Sequence, residues 1–173
     1  TRSAFTAVLL LGLLCMQVTL GMRTVTQKLN PVVVLSHLLI GLSILSVLWW
    51  TFIRLLNKKQ LVTRMNVKPW LCVALVVVAL QITLGGWVST HYAGLACIDF
   101  PYCNGEVLPT LHFDKFNTDL ITIHMLHRIG ALITTLYISL MLIVFWCHRT
   151  LRKTAIVIFA LLALQITLGI LNL

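Results

Sequence analysis

Long apolar runs separated by short polar segments make up nearly the whole of this sequence. Residues 4–22, 29–53, 69–98, 129–147 and 154–173 contain no Asp, Glu, Lys or Arg. About 20 consecutive apolar residues in a helix cross the hydrocarbon core of a bilayer, and no run has the alternation of a transmembrane barrel. The pattern predicts an all-α integral membrane protein. We expect an antiparallel bundle of five transmembrane helices at 5–22, 31–55, 69–90, 119–147 and 154–173.

Composition and charge agree with a membrane-embedded chain. The sequence is 60% hydrophobic and 10% charged, with a mean hydropathy of +1.00, whereas soluble domains have roughly 25% charged residues. The net charge of +9 comes from cations in the loops on one side of the bundle, and we infer no nucleic-acid partner from it. These cations are Arg2, Arg54, Lys58, Lys59, Arg64, Lys68, Arg149, Arg152 and Lys153. All acids lie on the other side, so the preference of Lys and Arg for the cytoplasm predicts that the 91–118 loop is outside.

A short motif occurs three times, near one end of alternate helices. Gln-x-Thr-Leu-Gly stands at 17–21, 81–85 and 165–169, and we call it the Gln–Gly motif. Small and polar residues of this kind favour close helix packing in membranes, although a cofactor contact is also compatible. The repeat groups the first four helices into two hairpins, with the fifth helix starting a third. Because both termini look cut, we expect a piece of a longer protein.

Histidines on the second arm of each hairpin are the strongest chemical signal. His37 and His127 lie at matching depth in their helices, and His124 precedes His127 on the same helix face. Ionisable residues inside a bilayer usually mark a functional site, and imidazole is a common axial ligand of haem iron. A buried Arg128 would need an anion, which a haem propionate would supply. Zinc would need three or four ligands, and His-x-x-His supplies two.

The outer loop contains two cysteines, Cys97 and Cys103. The predicted topology places them on the oxidising side, where disulfides persist. A bond between them would either order the loop as a structural link or exchange with a thiol or quinone as a redox centre. We favour the structural interpretation, and the sequence leaves both open.

Several of these segments together resemble the haem A synthase family. They are residues 81–89 (Gln-x-Thr-Leu-Gly-Gly-Trp-Val-Ser), 96–105 (Ala-Cys-x-Asp-Phe-Pro-x-Cys-x-Gly) and 123–130 (Ile-His-x-x-His-Arg-x-Gly). Residues 17–21 and 35–39 resemble the earlier half of that family. The resemblance implies two similar four-helix halves with eight spans in total, of which this chain holds spans three to seven. Residues 1–60 would then be the second hairpin of the N-terminal half, and residues 61–173 an incomplete C-terminal half.

The resemblance also implies a function and a set of site residues. The family oxidises a ring methyl of haem O to a formyl group, giving haem A for terminal oxidases, and it also holds a haem b. By motif, His127 matches a ligand of the haem b iron and His37 a ligand of the substrate haem iron, with Arg128 in the haem-binding set. Cys97 and Cys103 match paired cysteines of an outer loop. His124 stands where the other half has a glutamate implicated in catalysis, which makes it the candidate catalytic residue here.

Partners, location and alternative functions follow from the same resemblance. The expected partners are haem O and the lipid bilayer, with haem O synthase and terminal oxidase assembly factors as further candidates. The expected location is the bacterial plasma membrane rather than the mitochondrial inner membrane. Two other functions stay open: a haem-carrying electron-transfer subunit, and a membrane thiol–disulfide oxidoreductase that uses Cys97 and Cys103.

Overall fold

The structure is a computed structural model that describes residues 2–56 and 66–172. Within these residues there are five α-helices and no β-strand. They are α1 (Arg2–Thr26), α2 (Pro31–Leu56), α3 (Lys68–Thr90), α4 (Leu120–Trp146) and α5 (Arg152–Leu171). Each is long and apolar enough to cross a membrane, so the prediction of an all-α membrane protein is confirmed. Of the loop cations used to orient the chain, Lys58, Lys59 and Arg64 lie outside the described residues.

The predicted helix boundaries differ from the observed ones mainly at the end of α1. The sequence predicts an end at residue 22, whereas α1 continues to Thr26. The hydroxyls of Thr24 and Thr26 donate to carbonyls one turn back, at Gly21 and Met22. The helix therefore accommodates these polar side chains, because their hydroxyls find acceptors within the helix itself.

The chain divides into two compact units, residues 1–61 and 62–173. Unit 1 is the hairpin of α1 and α2, which are packed against each other. The carboxamide oxygen of Asn30 accepts a hydrogen bond from the amide of Val32 at 3.1 Å, and Pro31 is the first residue of α2. A side-chain cap followed by proline is a typical helix start. The connection between α1 and α2 is therefore only residues 27–30.

In unit 2, α4 is the central element. It packs against α3, α5 and a 3₁₀ helix at Ala93–Ala96 that opens the outer loop. Near the end of α4 that precedes α5, a buried cluster forms from Ala74, Ile138, Met141, Leu142, Phe145, Leu151 and Ala155. The hydroxyl of Tyr137 donates to the carbonyl of Trp70 at 2.9 Å, which joins α4 to the start of α3. Helices in lipid associate through such close packing and interhelical hydrogen bonds.

The start of α4 is capped and covered by the outer loop. Asp119 is the N-cap, and its carboxylate accepts hydrogen bonds from the amide of Ile121 and the hydroxyl of Thr122. The hydrogen bond from Thr122, more than any other contact, lowers the pKa of Asp119. Thr122, Ile123, His124 and Met125 are all buried. The first turns of α4 are therefore enclosed, and His127 and Arg128 lie directly beyond them.

Candidate functional site

His127 on α4 contacts the Gln–Gly motif of α3. Gln81 Nε2 lies 3.0 Å from His127 Nδ1 and donates to the carbonyl of His127 at 3.1 Å. No described residue hydrogen-bonds to His127 Nε2. One ring nitrogen is thus engaged by the protein while the other is left available to a ligand.

Two glycines make the space for this contact. A Cβ on Gly85 would stand 3.0 Å from His127 Cε1, and one on Gly130 would stand 2.4 Å from Gln81 Oε1. Both distances are too short for a side chain without displacing the ring or the amide. Gly85 follows Gln81 by one helical turn, so the motif presents a polar group and a flat surface to the same imidazole.

Unit 1 contains the same arrangement, built from a different pair of helices. Gln17 Nε2 of α1 lies 3.3 Å from His37 Nε2 of α2. A Cβ on Gly21 would stand 3.1 Å from His37 Cε1, and one on Gly41 would stand 3.0 Å from Gln17 Nε2. The difference is that the glutamine meets Nε2 of the ring rather than Nδ1. His37 Nδ1 is buried with no hydrogen-bond partner among the described residues.

These contacts give the repeated motif a more specific role than helix packing alone. In both units its glutamine and glycine pack the hairpin together through the histidine. Its threonine takes no part: Thr19 and Thr83 donate to carbonyls of their own helices, at 2.9 and 2.8 Å. In the third copy, on α5, Gln165 is exposed and a Cβ on Gly169 would meet nothing within 4 Å.

Arg128 hydrogen-bonds to the backbone of the outer loop, and the anion expected of it stays a prediction. Its guanidinium donates to three carbonyls of the outer loop: Cys97 at 2.7 Å, Tyr102 at 2.8 Å and Asp99 at 3.2 Å. Its Nε is buried and unpaired among the described residues. Arg128 therefore fixes the loop to α4 at the residue next to His127.

The segment that Arg128 holds is a closed loop with its own internal bonds. Cys97 and Cys103 form a disulfide, and both are buried, at 0% and 1% exposed. The Asp99 carboxylate accepts the backbone amides of Asn104 at 2.7 Å and Gly105 at 2.8 Å. The bond from Gly105, followed by that from Asn104, holds the pKa of Asp99 below its usual value.

His124 is separated from the Gln–Gly motif. Its side chain is 3% exposed, with Nδ1 buried and unpaired among the described residues. The ring lies near the backbone of Ala93, in the 3₁₀ helix that opens the loop. His124 and His127 thus have different surroundings, although they are close in sequence.

The other outer-loop histidines have local partners. His91 Nδ1 lies 2.9 Å from the carbonyl of Trp87, and the two rings are in contact. His112 Nδ1 lies 3.3 Å from the Asp119 carboxylate, at the cap of α4. Among the described residues, no group of three or more His, Cys, Asp and Glu side chains is arranged to hold a metal ion.

Within each hairpin the donor set fits a haem iron that takes one imidazole of that hairpin as an axial ligand. Each imidazole lies against a glycine surface, beside buried polar atoms that lack a partner among the described residues: Gln17 Oε1, His37 Nδ1 and Gln81 Oε1. Sequence reasoning identified the histidines but missed their glutamine partners. The signal was present in the recurrence of Gln four positions before Gly.

Taken together, the helices and the two histidine contacts define a membrane-spanning helical protein with an internally repeated imidazole site. The family model COX15-CtaA, described as cytochrome oxidase assembly protein, matches residues 1–173. The chain belongs to this family.

Three curated relatives, all from bacteria and all named heme A synthase, are similar to the chain. The one from Shewanella oneidensis is 36% identical, over 92% of this chain and 54% of the relative. Those from Neorickettsia sennetsu and Anaplasma marginale are 32% and 26% identical, over 59% and 84% of this chain and 33% and 43% of the relatives. The chain thus spans about half the length of the first of them. No solved structure matches it.

Proposed function

We propose that the protein acts in haem A biosynthesis, as a membrane oxidoreductase that converts a ring methyl of haem O to a formyl group. The observation that carries the proposal is the repeated contact of a Gln–Gly motif with an intramembrane histidine, at His37 and at His127. The support from similarity is the family match and the names of the relatives.

In this proposal the two histidines hold different haems. His127 is a ligand of haem b, and His37 is a ligand of the haem that is converted. When bound, the haem iron supplies the redox chemistry of the reaction. The residues of the chain bind and orient the porphyrins and exclude water from them.

His124 and Arg128 complete the proposed site in unit 2. His124 is the candidate catalytic residue, because its buried Nδ1 has no protein partner among the described residues and is free to hold or pass a proton. Arg128 holds the outer loop against α4 through three carbonyls. The loop then shields the haem b side from water, while Arg128 Nε keeps one donor for a propionate.

The proposed location is the bacterial plasma membrane, with residues 91–118 on the outer side. Its support is the placement of Arg54, Lys68, Arg149 and Arg152 at one side and of the acids, such as Asp99, at the other. The proposed partners are haem O, lipid, haem O synthase and oxidase assembly factors.

The test is complementation with the complete gene in bacteria that lack haem A. We expect expression to restore a haem that shows a formyl group in the pyridine haemochrome spectrum. His127→Ala and His37→Ala should abolish the product, whereas Thr83→Val should not. Haem A made at the wild-type level by both histidine variants would refute the proposal.

The structure gives less support to thiol–disulfide exchange. Attack on a disulfide needs access to a sulfur atom, and both Cys97 and Cys103 are within 1% of full burial. The proposed role of the disulfide is therefore to order the loop. In the same complementation test, replacing both cysteines should reduce the amount of folded protein but leave the activity of each folded molecule unchanged.

A further inference from the structure

The two Gln–Gly motifs meet their histidines in opposite ways. Both rings turn the same edge to a glycine, with Cε1 nearest and Nδ1 next. The glutamine amide then reaches Nδ1 of His127 but Nε2 of His37. The ring nitrogen left over is consequently different in the two units.

In unit 2 the contact leaves Nε2 of the His127 ring free. Gln81 engages Nδ1, and no described residue hydrogen-bonds to Nε2. A neutral imidazole that binds a metal through Nε2 has its proton on Nδ1 and normally donates that proton to a fixed acceptor. Gln81 Oε1 is buried without a described partner, so rotation of the amide, which gives up the bond from Nε2 to the His127 carbonyl, places an acceptor at Nδ1.

In unit 1 the glutamine of the motif instead blocks Nε2 of the His37 ring. Gln17 Nε2 is placed to donate to His37 Nε2. His37 Nδ1 is buried and lies on the glycine side of the ring. A metal can reach this imidazole only by displacing Gln17 from Nε2.

We propose that Gln81 and Gln17 are positioning residues that act on iron ligation in opposite senses. Gln81 orients His127 and strengthens its bond to iron, whereas Gln17 competes with iron for His37. The inference rests on the proposed function, since it assumes that both histidines bind haem. It explains how one repeated motif would serve a haem that stays and a haem that is exchanged.

The test measures haem loss from each site of the complete protein. Gln81→Leu is made in a His37→Ala background, and Gln17→Leu in a His127→Ala background, so that each sample keeps one of the two sites. The readout is the rate of haem transfer to apomyoglobin. We expect Gln81→Leu to accelerate loss about tenfold and Gln17→Leu to slow it about tenfold, since supports of metal ligands change affinity by roughly 10–100-fold.

The matched controls are Thr83→Val and Thr19→Val, which alter the same motifs at positions that bond only within their own helix. They should leave both rates within about twofold. Any result other than opposite changes for the two glutamines overturns the inference. If the histidine substitutions themselves leave haem content unchanged, the proposed function fails instead.

A second variant guards against simple misfolding. Gln81→Glu places a stronger acceptor at Nδ1, which makes the imidazole a better electron donor to iron. The reduction potential of the His127 haem should fall relative to that of the parent protein, while Gln81→Leu should raise it. A structural role alone would not move the potential in two directions, and an unchanged potential in Gln81→Glu also overturns the inference.

Discussion

Removing the guanidinium of Arg128 should release the outer loop from α4. Arg128→Leu deletes the hydrogen bonds to the carbonyls of Cys97, Asp99 and Tyr102. A hydrogen bond to a charged group contributes about 1.5–3 kcal/mol net. The bond to Tyr102 is exposed, and we discount it for solvent competition. At the lower bound, the other two hydrogen bonds together contribute about 3 kcal/mol to holding the loop closed. Losing them makes the equilibrium constant for loop opening about 100-fold larger in the variant than in the parent protein.

The assay is the rate at which a phosphine reduces the Cys97–Cys103 disulfide, followed by mass spectrometry of the complete protein in nanodiscs. Both cysteines are buried, so reduction requires the loop to open. When closing is faster than reduction, the rate follows the opening equilibrium. Reduction of Arg128→Leu should therefore be about 100-fold faster than that of the parent protein.

Arg54→Leu is the matched control for this prediction. It removes an arginine that lies over the ring of Trp50 and belongs to the other unit. The control should leave the reduction rate unchanged. If Arg128→Leu also changes it by less than about threefold, which is under 1 kcal/mol, the three carbonyl bonds do not hold the loop and the argument is wrong.

Three further substitutions probe the site and its surroundings. Gly85→Ala should push the His127 ring by a few tenths of an ångström and lower haem retention about tenfold, whereas Gly169→Ala, which meets no atom within 4 Å, should leave the haem-to-protein ratio unchanged. Asp119→Ala removes the α4 cap and should lower unfolding stability by about 1 kcal/mol, seen as a lower melting temperature. Because the pKa of Asp99 is depressed in the folded loop, its stabilisation is present above the unfolded pKa of about 3.9 and is lost as pH falls through the folded value. Asp99→Asn should therefore accelerate disulfide reduction at pH 7, and the parent protein should approach that rate only in acid.

The helices were predictable because apolar run length is a local property. Bilayer thickness fixes the number of residues that a span needs, and uncharged runs of that length indicated all five helices. The end of α1 was missed because Thr24 and Thr26 carry side chains that hydrogen-bond back to the helix. Hydropathy counts such residues only as polar.

The partners of the site residues were not predictable in the same way. Sequence reasoning selected His37 and His127 because ionisable groups are costly in lipid. Their contacts with Gln17 and Gln81 depend on the rotation and register of two helices against each other, which no single segment specifies. Arg128 shows the same limit. The anionic partner expected of it stays a prediction, while its hydrogen bonds to carbonyls of a loop distant in sequence were not indicated by any motif.

Since the Gln–Gly motif and its histidine lie on different arms, a single helix has only half of this contact. The smallest portable module is the complete hairpin. Its arms are joined by residues 27–30 in one case and by residues 91–119 in the other, and each hairpin brings one glutamine and two glycines around one histidine. The connection can therefore be lengthened, or exchanged for a folded cover, while the motif still packs against its histidine. This modularity gives protein engineers a small unit for placing a histidine, together with its glutamine and glycines, in other membrane bundles.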